Sequence, residues 1–428
     1  MNTTILGRAS KFNICLREVS LTAHAGIVLL KDFVERIALP EMIDRLLCLK
    51  DRERGRPESE STLSLCWNLI LGGDCLRDLN VLRGEAGLQE LIGVESVLAP
   101  TTAGELLRQF SIREIFALEA ILREAAAAVR PHQTSTTLTL DLDSSIYAQW
   151  SKRKEGSHKA YNGEVGYQPL LCFWAEEGEL LYSRLRSGNR NPAAIAEWFL
   201  AQVLKVAPAG KKRYLRADSG FYTWPLIELC ERERITYGIT ADLTQSLRAQ
   251  VEALPEQAWR RLNHDEKIAE LWYAPHTHAP HRYLVKRARR MDKQGQSYFK
   301  YYAVITNDLR RKPKTLMKWF LKRCAMENLI KEHKHDFGLE KLPTQKFLAN
   351  WAWFLIGQLA WNLVAWFKRL CLPKQYHQAT VKTIRHQVLN VSGKIVHQAR
   401  QLYLVLSDQY WFQEAWSFAL KQLAKLQI

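Results

Sequence analysis

Residues 137–143 read Thr-Leu-Thr-Leu-Asp-Leu-Asp, and this stretch decides the fold class. Leucines at three alternate positions are separated by polar residues, which is the two-residue period of a β-strand with one apolar face. Asp141 and Asp143 therefore lie on the same face of one strand. Because a carboxylate on a partly buried strand face is costly unless it is paired or bound to a metal, the strand also indicates a functional site.

The segments that follow this strand alternate between strand and helix patterns. Predicted strands cover residues 168–174, 180–186, 213–218 and 235–239, and predicted helices cover residues 192–206 and 223–232. Asp218 comes at the carboxyl end of its strand, where open α/β sheets place their sites, although an Asp there also commonly closes a turn or caps a helix. Further strand patterns at about 241–315 predict a β-rich insertion in an α/β core.

The two ends of the chain are predicted to be helical. Residues 1–130 show apolar residues at helical spacing, and Pro40 divides the first helical stretch into two. Residues 347–367 hold no charged residue over 21 positions, which is long enough to cross a bilayer. Four tryptophans spread along this stretch, instead of lying at two interfaces, favour a buried core helix over a membrane span.

Charge and cysteine content narrow the class of protein. The formal net charge of the 428 residues is +17, and residues 1–130, with 16 Lys and Arg against 18 Asp and Glu, contribute none of the excess. The remaining residues carry +19, which predicts a polyanionic partner. The eight cysteines form no C-x-x-C pair, which excludes zinc-ribbon and redox motifs and favours a reducing compartment.

Residues 319–334, Trp-Phe-Leu-Lys-Arg-Cys-Ala-Met-Glu-Asn-Leu-Ile-Lys-Glu-His-Lys, have the pattern of a helix. At about 100° per residue, four side chains fall within roughly 60° of one another: Phe320, Arg323, Glu327 and Lys334. Such a stripe is most often a solvated face with charge pairs. Beside carboxylates at two strand ends, it also suits a divalent metal and a phosphodiester.

The order of these features resembles that of the DDE transposases of bacterial insertion sequences, in particular the group 1 DDE-domain type with a Tyr-Arg-Glu-Lys signature. The chain reproduces the spacing of that signature, but Phe320 stands where the family has Tyr and lacks the hydroxyl. Similar pieces lie at residues 140–145, 166–169, 216–221, 305–307 and 327–331, and near the two ends at 21–26 and 384–393. We therefore expect a complete protein of this family.

The resemblance implies an α/β fold whose catalytic core is RNase H-like, a mixed sheet flanked by helices. It implies a helical N-terminal domain at residues 1–130 that could bind DNA ends. The catalytic domain would span residues 131–340, with the β-rich insertion at about 241–315. A basic helical region at residues 341–428 would complete the core and could serve assembly.

The resemblance also implies the site residues. The catalytic and metal-binding triad would be Asp143, Asp218 and Glu327, with Asp141 as an alternative first carboxylate. Asp143 is preferred because the small hydroxyl residues that follow it resemble those after the family's first Asp. Phosphate contacts would come from cationic side chains near Glu327: Arg323, Lys331 and Lys334.

The implied activity is DNA transposition. Two Mg²⁺ or Mn²⁺ ions per active site would support cleavage at the element's ends and joining of the 3′-hydroxyl ends to target DNA. The implied partners are double-stranded DNA with terminal inverted repeats, target DNA and, in the synaptic complex, at least one second copy of the chain, in the bacterial cytoplasm at the nucleoid and without a membrane. Two alternatives stay open: a non-catalytic, transposase-derived DNA-binding protein, and a metal-dependent DNA nuclease without strand transfer.

Overall fold

The computed structural model describes the backbone of residues 3–9 and 12–17, and residues 20–50, 55–275 and 278–426 in full. The chain divides into two units. Unit 1 combines Met1–Gln133 with Glu332–Ile428, and unit 2 is Thr134–Lys331. Residues 341–428 thus fall in the same unit as residues 1–133, and unit 2 interrupts unit 1 in the sequence.

The first part of unit 1 is mainly helical. Its strands are β1 (Thr3–Ala9), β2 (Phe12–Arg17) and β3 (Leu21–Thr22), and its helices are α1 (Ile27–Arg36), α2 (Leu39–Leu46), α3 (Glu58–Leu71), α4 (Leu79–Arg83), α5 (Ala86–Ile92), α6 (Pro100–Gln109) and α7 (Ile112–Val129). Pro40 lies in the first turn of α2, where its missing N–H costs nothing, so the predicted division of the first helix is confirmed. The three short strands were not predicted.

Unit 2 alternates strands and helices. Its elements are β4 (Thr137–Ser144), β5 (Tyr147–Ala148), β6 (His158–Lys159), β7 (Val165–Tyr167), β8 (Leu170–Trp174), β9 (Glu179–Arg184), α8 (Ala196–Val206), β10 (Lys212–Ala217), α9 (Trp224–Arg232), β11 (Thr236–Ala241), α10 (Gln245–Glu252), β12 (Arg260–Arg261), β13 (Glu266–Tyr273), β14 (His281–Met291), β15 (Ser297–Thr306), α11 (Pro313–Leu321) and α12 (Cys324–Lys331).

Nine of these strands form one mixed sheet in the order β12-β13-β14-β15-β11-β10-β4-β8-β9. The central strands β4, β10 and β11 are parallel, and the other neighbours are antiparallel. The strands of the predicted β-rich insertion therefore extend this sheet through the pairing of β15 with β11. A separate small sheet has the order β5-β7-β6.

Helices cover both faces of the large sheet. The alternating leucines of β4 are fully buried and pack in one core with apolar residues of α8 and α9. On the opposite face, Leu316, Met317 and Phe320 of α11 pack against Leu284 and Val304 of the sheet. The large mixed sheet flanked by helices agrees with the predicted α/β class, and the alternation in residues 137–143 is explained by these two covered faces.

The predicted continuous helix over residues 319–334 is wrong. The structure has α11, a break at Lys322 and Arg323, α12, and then a π-helical turn at Glu332–Asp336. At the break, backbone N–H groups bond to carbonyl groups three residues back instead of four, as Met326 does to Arg323. The signature residues therefore do not form one stripe, and Lys334 belongs to unit 1.

The last part of unit 1 contains α13 (Phe347–Cys371), α14 (Val381–Ile384), β16 (Gly393–Gln398), β17 (Gln401–Leu406) and α15 (Gln413–Leu423). The predicted core helix is confirmed as α13, which is buried along most of its length and packs against α3 and α7. Among the described residues, no helix has both the length and the apolar character of a membrane span. Strand β16 pairs with β17 and with β3, which joins the two parts of unit 1.

Candidate active site

Two predicted carboxylates lie at the same edge of the large sheet. β4 and β10 are parallel neighbours, and Arg216 of β10 is paired with Asp141 of β4. Two residues further along each strand direction, Asp143 lies near the end of β4 and Asp218 directly follows β10. The parallel register thus brings together two side chains that are 75 residues apart in sequence, at the carboxyl ends of their strands.

Asp143 is held in a poorly solvated position. Its side chain is 14% exposed, and its Oδ1 accepts a hydrogen bond from the backbone N–H of Ser144 at 2.7 Å. Burial raises the pKa of Asp143 to about 6, the charges of Asp218 and Glu327 add to the rise, and Arg323 opposes it. The charges of both other predicted carboxylates therefore act on Asp143, which is the least well solvated of the three.

The two carboxylate oxygens of Asp218 have different partners, one in its own turn and one in the site. Its Oδ1 accepts a hydrogen bond from the backbone N–H of Gly220 at 3.0 Å and so caps the short helical turn Ser219–Phe221. Its Oδ2 lies 3.4 Å from Nη2 of Arg323. The side chain is 40% exposed, and burial still raises its pKa. The turn-capping alternative considered for this residue is thus observed, and it leaves the second oxygen facing the site.

The Arg323 guanidinium lies between the two aspartates. Its Nη2 is 3.3 Å from Oδ2 of Asp143 and 3.4 Å from Oδ2 of Asp218. A cation at this point offsets the repulsion between two neighbouring carboxylates. Arg323 was predicted to bind phosphate, which stays a prediction, and in the structure its guanidinium contacts the two carboxylates.

The other predicted residues differ in their surroundings. Glu327 and Lys331 are exposed on α12, and neither side chain forms an ion pair within the described ranges. Lys334 belongs to unit 1, where its Nζ lies 3.4 Å from Oε1 of Glu340. Glu327 thus acts on Asp143 only through its negative charge, which contributes to the raised pKa of Asp143.

Asp141 is committed to a different interaction. It is 2% exposed, and its two oxygens accept hydrogen bonds from Nε and Nη2 of Arg216, each at 2.6 Å. Nη1 of Arg216 donates to the backbone carbonyl of Trp319 at 2.8 Å. Because both oxygens are taken up by this buried ion pair, the geometry favours Asp143 over Asp141 as the first carboxylate.

The donor set is suited to a divalent cation. Carboxylate oxygens are the ligands that Mg²⁺ prefers, and Arg323 already marks a position between two of them where positive charge is favourable. The three predicted carboxylates are not drawn to a single point, however. In the part of the chain that the structure describes, only one group of three Asp, Glu, His or Cys side chains has its ligand atoms within 4.8 Å of one another. This group is Asp74, Cys75 and Asp78, in unit 1.

A cleft of about 730 Å³ opens beside Asp218, in unit 2. Its walls come from the end of β4, the region of β6, the loop after β9 and the turn after β10: Ser144, Lys159, Ala160, Tyr161, Gln168, Gly188, Asn189, Arg190, Asn191, Pro192, Asp218, Ser219 and Gly220. This cleft was not predicted from the sequence. The signal that could have found it is the polar, turn-rich loop at residues 187–192, which directly follows a predicted strand.

Comparison with known proteins gives a family for the chain and similarity to solved structures. The model of the family described as "Transposase DDE domain group 1" matches residues 9–428. No curated protein matches the chain. Among solved structures, the fold is similar to that of a chain in the cryo-EM structure of a piggyBac transposase synaptic complex with hairpin DNA. The sequence identity is 12% and the TM-score is 0.40, and the match covers 86% of this chain and 88% of that chain. Because the family model spans almost the whole sequence, the chain belongs to the group 1 family of DDE transposase domains.

Proposed function

We propose that the protein is the transposase of a bacterial insertion sequence, of the class with a Tyr-Arg-Glu-Lys signature, and that unit 2 is its RNase H-like catalytic core. Support comes from the order of elements in unit 2, where β4, β8 and β9 form an antiparallel set and β10 and β11 continue in parallel from β4. The strands β12 to β15 would then be the β-rich insertion.

The observation that carries the proposal is the position of one cationic atom between two carboxylates. Nη2 of Arg323 lies within 3.4 Å of oxygens from Asp143 and Asp218, at the carboxyl ends of parallel strands. Asp143, Asp218 and Glu327 would hold two Mg²⁺ or Mn²⁺ ions. When bound, such ions lower the pKa of a water or hydroxyl nucleophile and stabilise the leaving oxygen of an in-line displacement.

The chain's own residues have defined tasks in this scheme. Asp143 and Asp218 provide negative charge in a poorly solvated place, so that positive charge is drawn to that point. Arg323 would contact a DNA phosphate where a bound metal neutralises the two aspartates, with Lys331 at the end of α12 as a second contact. The scheme requires no covalent bond between protein and DNA.

The wider assembly follows from the same proposal. The substrates would be double-stranded DNA with terminal inverted repeats and a target DNA, to which the cleaved 3′-hydroxyl ends are joined. Residues 1–130 would bind the element's ends, Lys334 would contact phosphate, and residues 341–428 would complete the core and support assembly. Two copies would pair the ends at the bacterial nucleoid. The net charge of +19 carried by residues 131–428 is suited to binding the phosphate backbones of these DNA molecules.

The test is to incubate the purified protein with linear DNA that carries the element's ends, in Mg²⁺ or Mn²⁺, and to follow both cleavage and strand transfer. Asp218→Asn and Glu327→Gln should abolish both reactions, whereas Asp265→Asn and Glu252→Gln, at exposed positions of the same unit, should not. Cleavage that survives in the first two variants contradicts the proposed triad. Cleavage without joining favours the nuclease, and salt-dependent binding without any cleavage favours the non-catalytic protein.

A further inference from the structure

We propose that the cleft beside Asp218 binds an unpaired stretch of one DNA strand next to the scissile phosphate. This inference rests on the proposed function, because it assigns a substrate subsite to the same active site. Three features of the cleft support it: its size, its uncompensated positive charge and its exposed aromatic ring.

The size of the cleft selects a single strand over a duplex. A volume of about 730 Å³ falls within the range of pockets for small ligands, about 300–1,000 Å³. A duplex, whose major groove alone is about 12 Å wide, does not enter such a cavity, whereas a few unpaired nucleotides do. Ser144 and Asp218 line the cleft, so a strand held there lies next to the predicted catalytic carboxylates.

The charge in the cleft selects an anion. Lys159 and Arg190 are exposed in its walls, and neither forms an ion pair with any residue that the structure describes. Asp218 is the one carboxylate among the lining residues. The cleft therefore has positive charge along its walls and a carboxylate at the candidate metal position, an arrangement that suits a backbone phosphate on the two cations.

An aromatic ring provides the surface for a base. Tyr161 lines the cleft and is 87% exposed. Its position in the wall of the cleft leaves the ring open for stacking, and stacking of bases on aromatic rings is the common way in which proteins bind single strands without regard to sequence. Tyr161 would stack on a base while Lys159 and Arg190 hold the neighbouring phosphates.

The wall that carries Arg190 is fixed in place. Arg186, which is 6% exposed, donates hydrogen bonds to the backbone carbonyls of Gln168 and Asn191, each at 3.1 Å. A Cβ on Gly188 would lie 2.3 Å from the carbonyl oxygen of Gly166 and 2.4 Å from that of His158, so the loop packs directly on the small sheet. A wall already held in this way loses little freedom when a ligand binds.

The experiment compares two labelled DNA molecules by fluorescence anisotropy in EDTA: a blunt duplex, and the same duplex with a short single-stranded overhang. We expect the full-length protein to bind the overhang duplex about tenfold more tightly than the blunt one, as stacking of one or two bases provides. Lys159→Ala combined with Arg190→Ala, and separately Tyr161→Ala, should remove this preference, while blunt binding falls no more than the loss of exposed charge alone explains. Tyr161→Phe, which keeps the ring, should retain it.

Lys205→Ala is the matched control, since Lys205 is exposed on α8 and lies outside the cleft. Equal affinity of the wild type for the two DNA molecules overturns the proposal, and so does a loss of affinity that is the same for both in the cleft variants. The assay contains no divalent metal and measures no cleavage. Failure of the triad variants to abolish cleavage would therefore count against the proposed function alone, while absence of an overhang preference in the wild type counts against the cleft alone.

Discussion

Asp141 and Arg216 form a buried, bidentate ion pair across two neighbouring parallel strands, with both N–O distances at 2.6 Å. Burial raises the pKa of Asp141 even though the guanidinium opposes that rise. The desolvation of this carboxylate is therefore large, and the pair holds β4 against β10 at the strand ends from which Asp143 and Asp218 project.

Removing one partner of this pair should destabilise the protein. Asp141→Asn leaves the Arg216 charge buried and unpaired, so we expect a loss of about 3–5 kcal/mol in the free energy of unfolding, measured by urea denaturation. The double variant Asp141→Leu with Arg216→Met should recover most of that loss, because it removes both buried charges. A single variant as stable as the wild type contradicts the structural role.

Asp143→Asn should behave in the opposite way. Since burial raises the pKa of Asp143 to about 6, the ionised carboxylate is unfavourable in the metal-free fold at pH 8. We expect the variant to unfold at the same denaturant concentration as the wild type or at a higher one in EDTA, and to lose DNA cleavage. Loss of stability comparable to that of Asp141→Asn would count against the assignment of Asp143 to catalysis.

Arg323→Gln should change metal affinity and activity in opposite directions. The guanidinium lies between the two aspartates at the position that a divalent ion would take, so its removal should tighten Mn²⁺ binding several-fold, measured by isothermal titration calorimetry. Cleavage should fall, because a phosphate contact is lost. Lys322→Gln, at the exposed neighbouring residue, is the control for a general change in charge, and weaker Mn²⁺ binding by Arg323→Gln would contradict the competition.

Phe320→Tyr should not increase activity. The Phe320 side chain is 8% exposed and packs between α11 and the sheet, where an added hydroxyl is costly unless it finds a partner. We expect a loss of about 1–3 kcal/mol in unfolding free energy and unchanged strand transfer. A large gain in strand transfer would mean that the family's Tyr hydroxyl has a role that this chain lacks.

His333 should make unit 1 sensitive to acid. Its fully buried ring packs edge-on against Phe354 and Trp361, and burial lowers its pKa from 6.5 to about 3. Below pH 6.5 the His333 imidazole is protonated in the unfolded chain but stays neutral in the folded chain. The contribution of the neutral imidazole to the free energy of unfolding, which is complete above pH 6.5, is therefore lost progressively as the pH falls towards 3.

His333→Phe should remove this contribution. Going from pH 8 to pH 5, the variant should lose about 2 kcal/mol less unfolding free energy than the wild type, measured by denaturation at the two pH values. His264→Phe, at an exposed histidine, should show no such difference. Equal pH dependence of His333→Phe and the wild type would contradict the burial of a neutral imidazole.

The elements that were predicted correctly are those whose residues follow a local pattern in the sequence. Strand β4 and helix α13 follow directly from the alternation and the uninterrupted apolar run of their residues. The break between α11 and α12 has no such local signal. It depends on Phe320 packing against the sheet and on Arg323 meeting carboxylates that lie more than 100 residues earlier in the chain.

The site was predicted in part for the same reason. Asp143 and Asp218 could be proposed from their places at strand ends, but the choice between Asp141 and Asp143 depends on Arg216, and only the register of β4 with β10 places that residue opposite Asp141. The cleft likewise depends on the contact of the loop at residues 187–192 with the small sheet. Such contacts belong to the tertiary structure, and no spacing within the sequence reports them.

The interruption of unit 1 by unit 2 sets an order for folding during synthesis. On the ribosome, residues 134–331 are complete before α13 and β16 emerge, and these two elements supply the packing surface for α3 and α7 and the strand partner of β3. The helices of the first 133 residues therefore keep apolar faces exposed until the last part of the chain has been synthesised. During that interval the nascent protein has a complete unit 2 and an incomplete unit 1, and it depends most on chaperones.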